Sequence, residues 1–470
     1  MRTLHAACRA SLRVLVPTCM LFITSCTWYH REPLSAQDTS TSARSLERIR
    51  IDPSTMPLPE LAAHRFDPSD GLDIVEVSML AVANNPDLKL ARDDLGIARA
   101  QAFAAGLLPD PQLSISSDYP GAAGYMRAFN YGLSMDVMAI VTRGANKKSA
   151  DASVAKTDLG LLWQEWQVVA QAKQLFLKAR LQNETLPLLQ QQRDLTRTRY
   201  ERMAEARRDG NLTEDALTAA LTAYSDARKQ YTDAQRAAEQ THHDLNALLG
   251  LAPDVQLVLK GDDDAAPVDD ATIDEAVAAL PKRRPDLLAL QAGYEAQEEK
   301  YRAAILSQFP SLSVGFVRAR DTSEIYTSGF QVSLSLPIFN RNQGNVAIEK
   351  ATRQRLRDEY QNRLNQAHAD VAHLRADTAI LARELEQTEA ALPGVDSDAR
   401  DAAQAWADHD LAFGAYADAQ SAALTKRVEV ATLRESLAEQ RVALQALLGS
   451  AIPDDFSSTH VNTATQTNGK

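Results

Sequence analysis

Cysteine is nearly missing from this 470-residue chain: Cys8, Cys19 and Cys26 are the only three, all within the first 26 residues. Nothing downstream can form an intrachain disulfide or a thiolate metal site, so the fold beyond that point holds by packing alone. Aromatic residues make up only 6% of the chain, and glycine and proline number 19 each. That poverty argues against several compact cores and suits long helices. Also missing are a Gly-x-Ser-x-Gly elbow, a phosphate-cradling loop and a His-Glu-x-x-His pair, so catalysis and a bound cofactor are not expected. Basic charge is in deficit, with a formal net charge of −12, and such a surface repels nucleic acid.

What the amino end does have is Arg2, Arg9 and Arg13 around an apolar run from Leu12 to Ile23. The run is too short for a spanning helix and is shaped like a secretion signal. It ends in Ile23-Thr24-Ser25-Cys26, which resembles the bacterial lipobox. The resemblance implies cleavage after a leader of residues 1–25, with diacylglycerol and an N-acyl lipid on Cys26. Thr27 stands where an Asp would oppose outer-membrane sorting in that pattern. An ordinary signal peptide with an incidental cysteine is the alternative. Loss of the leader removes three arginines and no acid, leaving the mature chain three charges more negative.

Residues 26–70 and 452–470 are polar, without apolar periodicity, and are expected to be extended or disordered. Between them the chain repeats itself. Pro86-Asp87-Leu88 returns as Pro285-Asp286-Leu287, and Leu248-Leu249-Gly250 as Leu447-Leu448-Gly449, both 199 positions on. That period is too long for a solenoid and points to duplicated halves, residues 71–251 and 272–451.

Each half is expected to open with a helix, over 72–108 and 273–306, the second interrupted near Pro281 and Pro285. Strict alternation follows: Leu113 and Ile115 against polar neighbours, then Phe129, Tyr131, Leu133 and Met135 against Asn130, Gly132, Ser134 and Asp136. In the second half Leu312, Val314 and Phe316 alternate with Ser311, Ser313 and Gly315. Phe330, Val332 and Leu334 then alternate with Gln331, Ser333 and Ser335, so four amphipathic strands are predicted. Very long helices follow, over 146–209 and 342–408, each spanning on the order of 95–100 Å. Pro187 and Pro393 are expected to kink or break them. The returning helices carry heptad columns, Leu217, Tyr224, Tyr231, Ala238 and Leu245 in one, Tyr416, Ala423, Val430, Leu437 and Leu444 in the other. A second seam of Leu221, Arg228, Gln235, His242 and Leu249 reads as looser and more alanine-lined than a zipper.

Two hairpins cannot close a barrel in lipid, because an open edge leaves backbone groups unpaired. Copies must share it. Two chains give eight strands with a filled interior; three give twelve, wide enough for water and small solutes. The fold expected is mainly α with a small β component: a trimeric helical barrel in the periplasm, capped by a twelve-stranded barrel with four strands per subunit.

Duplicated helix, hairpin, long helix, turn and return helix behind a lipobox resembles the TolC-type outer-membrane efflux proteins over nearly the whole mature chain. Leu108-Pro109-Asp110-Pro111 and Leu336-Pro337-Ile338-Phe339-Asn340-Arg341-Asn342-Gln343-Gly344 are similar to the cation-efflux branch, which serves cobalt, zinc, cadmium, copper or silver pumps. The resemblance implies a passive exit duct, partnered by a periplasmic adaptor (a membrane fusion protein) and an inner-membrane pump. It implies adaptor-contacting tips at Gly210, Asn211 and Leu212, and at His409, Asp410 and Leu411, with His409 where the family has glycine and Gly414 five residues on. Asp418 matches the position of an acidic pore constriction; three copies would form a cation-favouring ring. A solvated helix position explains Asp418 equally, and Asp410 and Asp215 are further candidates. The family's other gate residue is replaced by Ala415, with no ion-pair partner evident. The adjacent His242 and His243 point about 100° apart on a helix and read as one packed, one exposed histidine rather than a metal site. A periplasmic lipoprotein adaptor or coiled-coil envelope scaffold is the rival reading, opposed by the duplication.

Overall fold

The structure, a computed structural model, describes residues 29–36, 41–42, 46, 49–121, 124–261 and 266–449. The expected leader, Cys26 and the tail over 452–470 lie outside those residues. The described residues belong to two units. In the first, 29–36 are extended and exposed; the second, from Thr41, contains every element below.

Much of the segment expected to be loose is packed. Helical turns at Pro53–Thr55, Pro59–Ala62 and Pro68–Asp70 bring Leu58, Leu61 and Phe66 into the main core. Those apolar residues are irregularly spaced because the chain turns between them, so no helical or strand period revealed them.

The opening helix is two helices, α1 (Ile74–Asn84) and α2 (Pro86–Ala105). Asp73 starts α1 with a capping box, accepting from the Glu76 N–H at 2.8 Å while Glu76 accepts from the Asp73 N–H at 2.9 Å. Pro86 forces Asn85 out of the helical region (ψ 128°), and the Asn85 side chain restarts the helix by accepting from Leu88 N–H at 3.0 Å. The second half breaks at the equivalent place, where Arg284 (ψ 118°) separates α5 (Asp270–Arg283) from α6 (Pro285–Leu306). The expected interruption thus falls at Pro285, while Pro281 sits inside α5.

Strands β1 (Gln112–Asp118), β2 (Ala128–Asp136), β3 (Ser311–Arg320) and β4 (Tyr326–Ser335) form one antiparallel sheet in the order β1-β2-β3-β4. The halves therefore join at β2 and β3, while β1 and β4 remain edges.

Helix α3 (Val137–Arg208) follows β2 without a loop, nine residues before the expected start, because the Asp136 carboxylate caps it by accepting from Met138 N–H at 2.8 Å and Ala139 N–H at 3.2 Å. Helix α7 (Gln343–Ala407) is its counterpart. Their 72 and 65 residues correspond to about 108 and 98 Å. Neither helix breaks at its proline: both run on through Pro187 and Pro393. Both prolines are exposed, so the freed carbonyl has water within reach.

The returning helices are α4 (Glu214–Leu248) and α8 (Phe413–Leu448). On α4 the second seam is shifted one residue from the expected one: Ala220, Ala227, Thr241 and Leu248 are buried, whereas Leu221 and Arg228 are exposed. The column at Leu217 thus pairs with residues three positions on, a 3-4 spacing lined by alanine. On α8 the expected column is buried from Ala423 to Leu444, and Ala417, Leu424, Ala431 and Ala438 are buried beside it. The difference has a cause. Helix α8 packs on both α3 and α7, whereas α4 packs on α3.

Candidate functional site

Strand register sorts the sheet into two faces. Directly opposed residues share a face, so Leu113, Leu133, Phe316 and Phe330 form one row across all four strands. Met135, Val314 and Val332 form the next, followed by Leu312 with Leu334. These side chains are exposed or half-buried, with Phe330 at 91%. The opposite face carries Gln112, Ser134, Gly315 and Gln331 in one row and Asp136, Ser313 and Ser333 in another. Gly315 is required there, because a Cβ would approach the Leu133 carbonyl oxygen to 2.6 Å. An exposed apolar face backed by a polar one, with two open edges, is the geometry of a barrel stave between lipid and water.

The helices meet in two tips. In the first, Gly210 adopts φ +77° and Asn211 N–H donates to Ala206 O at 2.9 Å, closing the end of α3. Leu212 is half-buried, and Thr213 caps α4 by accepting from Ala216 N–H. The second tip makes the same turn without glycine: His409 takes φ +64°, and Asp410 N–H donates to Ala405 O at 2.8 Å. Histidine tolerates this left-handed conformation better than bulkier residues do. Leu411 is half-buried, as Leu212 is, and both tips expose their polar residues.

Behind the second tip lies a cluster that sequence reasoning missed. Trp406, Phe413 and Tyr416 lie with ring centroids 5.4 to 5.9 Å apart, and the Arg202 guanidinium of α3 sits 4.0 Å from the Phe413 centroid. Three aromatics within eleven residues of an aromatic-poor chain were the signal.

Asp418 lies on α8 with its side chain 64% exposed, and Arg199 of α3 reaches it at 2.5 Å. An ion-pair partner thus exists where none was evident in the sequence, because the two residues are 219 positions apart. Asp215 and Asp410 are exposed. His242 is half-buried with its Nε2 2.8 Å from Val255 O, while His243 is exposed, as their helical spacing implied.

His64, Asp73 and Glu76 bring three metal-ligating groups within 4.8 Å of one another. The Glu76 carboxylate is already engaged by Asp67 N–H and Asp73 N–H, both at 2.9 Å, with the Lys260 ammonium at 3.7 Å. Helix capping accounts for the cluster. No described helix is long and apolar enough to cross a membrane.

Residues 277–450 match the family described as outer membrane efflux protein. No curated protein matches the chain. Among solved structures, the outer-membrane channel OprN is 18% identical, with 89% of this chain and 98% of that one covered and a TM-score of 0.67. CusC, described for folding and transmembrane channel formation, is 19% identical over 84% of this chain and 97% of its own, at 0.64. The open-state outer-membrane channel MtrE of Neisseria gonorrhoeae is 18% identical over 91% and 98%, at 0.62. Residues 277–450 thus match the outer membrane efflux protein domain, and the chain shares the fold of these outer-membrane channels.

Proposed function

We propose that three copies of this chain close a common twelve-stranded barrel and a helical tunnel, making the passive exit duct of a tripartite efflux system. The protein belongs to the outer membrane of a Gram-negative bacterium and extends into the periplasm. The observation that carries the trimer is the sheet itself, whose β1 and β4 edges are unpaired among the described residues while its apolar face is exposed. An open edge in hydrocarbon costs several kcal/mol per unsatisfied group, and neighbouring copies remove that cost.

On this reading the tips at Gly210 to Leu212 and His409 to Leu411 receive a periplasmic adaptor, which links the duct to an inner-membrane pump. Cys26 carries the lipid anchor. The duct needs no catalytic group or cofactor of its own. The run from Leu336 to Gly344 supports a cation-efflux role, so metal cations are the cargo proposed, and Asp418 is proposed to line the constriction. A lone adaptor or scaffold would need no exposed apolar sheet built from both halves.

Conductance across planar bilayers tests the reading. Purified protein should insert and conduct cations at a low level; protein that neither inserts nor conducts would contradict it.

A further inference from the structure

The apolar face of the sheet changes character toward the two hairpin turns, the end opposite the helices and hence the extracellular end. The residues of that face are hydrophobic from Leu312 to Phe316 and from Leu334 to Phe330, then become Arg318 and Arg320 on β3. Arg318 is registered with Tyr131 and Ser328, and Arg320 with Phe129 and Tyr326. Arg127 joins them from the approach to β2, its Nε donating to Ser117 Oγ at 2.9 Å and its guanidinium 3.9 Å from the Tyr119 centroid.

Two guanidiniums lie over the Phe129 ring, Arg127 at 5.4 Å and Arg320 at 4.9 Å from its centroid. Arg320 Nη2 donates to Arg127 O at 2.6 Å, while its Nε is buried without an acceptor among the described residues. None of the three arginines forms an ion pair among the described residues. The nearby Asp321 carboxylate is used within its turn, accepting from Ser323 N–H at 2.8 Å and Ile325 N–H at 2.9 Å. No acidic residue occupies this face at its registered positions on β1 to β4.

An arginine on a barrel's lipid face costs about 2–4 kcal/mol at mid-bilayer and almost nothing at the interface. Arg320 lies eight residues from Leu312, about 27 Å along the strand, so the pair brackets one apolar band. Aromatic rings mark the same boundary. Among the described residues this guanidinium cluster has no counter-charge, and phosphate is the anion its fork geometry suits.

The geometry points to Arg127, Arg318 and Arg320 as a docking site for the phosphate-bearing headgroup of an outer-leaflet glycolipid. This rests on the barrel reading above, and continuity with the apolar face selects a lipid whose acyl chains lie against Phe316 and Phe330 while its phosphates reach the arginines.

The test uses full-length protein in detergent, titrated with bisphosphorylated lipid A, with its dephosphorylated form and with inorganic phosphate, and read by native mass spectrometry. Bisphosphorylated lipid should bind best, weakening about fivefold in Arg318→Gln and on the order of 100-fold in the triple Arg→Gln variant, from the worth of basic side chains at an anionic surface. Arg318→Gln removes no described intramolecular bond, so it remains informative if the triple variant misfolds. Equal binding of both lipids, unchanged binding by Arg318→Gln, or full competition by millimolar phosphate would overturn the proposal. The same spectra report the oligomer, so failure of the trimer is seen separately.

Discussion

Arg199 and Asp418 pair at 2.5 Å between α3 and α8, joining the two halves of the chain near its helical tips. Both side chains are substantially exposed, so the pair adds only about 0–1 kcal/mol to stability. Its larger effect is electrostatic, because each arginine offsets one carboxylate of the proposed ring. Arg199→Ala should leave thermal stability nearly unchanged while raising cation preference in planar bilayers, and Asp418→Ala should raise anion leak. Unchanged selectivity in both variants would remove Asp418 from the pore wall and leave the fold intact.

Asp286 anchors a buried charge cluster. It accepts from Arg284 Nε at 2.8 Å and Arg363 Nε at 2.6 Å, and the Arg284 guanidinium lies 4.8 Å from the Trp163 centroid. The Arg284 side chain is only 3% exposed, so Asp286→Ala strands a buried cation. Denaturant titration of the purified protein should register a loss of about 3–5 kcal/mol. A loss below about 1 kcal/mol would mean that water reaches Arg284.

The tips differ in one testable respect. His409 sits in a left-handed conformation that costs about 1 kcal/mol relative to glycine, whereas Gly210 does not incur it. His409→Gly should raise the thermal midpoint and Gly210→Ala should lower it, measured by circular dichroism. Opposite signs would show that the tip turns differ from those described.

Glu435 and Glu439 are one turn apart on α8, near Lys178 of α3. Burial is the main cause that raises both carboxyls above their ordinary 4.5; the Glu439 charge adds to the rise at Glu435, and Lys178 opposes both. A raised acid is more readily protonated in the folded state, so stability falls as pH rises from 4.5 through the raised values. The double Glu→Gln variant should melt above the parent at pH 7, with the gap closing toward pH 4.5. A gap that is constant with pH would assign the effect to packing.

Most of the architecture was legible because its periods are simple. Alternation in Phe129 to Asp136 and in Ser311 to Phe316 marked the strands, and the 199-residue offset marked the halves. Helix starts were less visible, since Asp136 and Asn85 act by side-chain caps that turn chain direction within one residue. On α4 the alanine lining was legible but its register was not, because alanine, with so little side chain, hardly announces a buried face. Ala220 and Ala227 are buried one position before Leu221 and Arg228, while Leu249 is buried where expected. Arg199 and the rim arginines were hidden for another reason. Their roles depend on partners 219 and about 190 positions away, which only the folded chain brings together.

The central claim is that β1 of one copy pairs with β4 of the next. Mature protein carrying Ser114→Cys together with Gly329→Cys, Gln331→Cys or Ser333→Cys, all polar-face positions, can be oxidised in membranes and separated under denaturing, non-reducing conditions. At least one pairing should give a covalent three-chain species that reduction abolishes. Single chains in all three pairings, from protein whose mass in detergent is that of a monomer, would contradict the account.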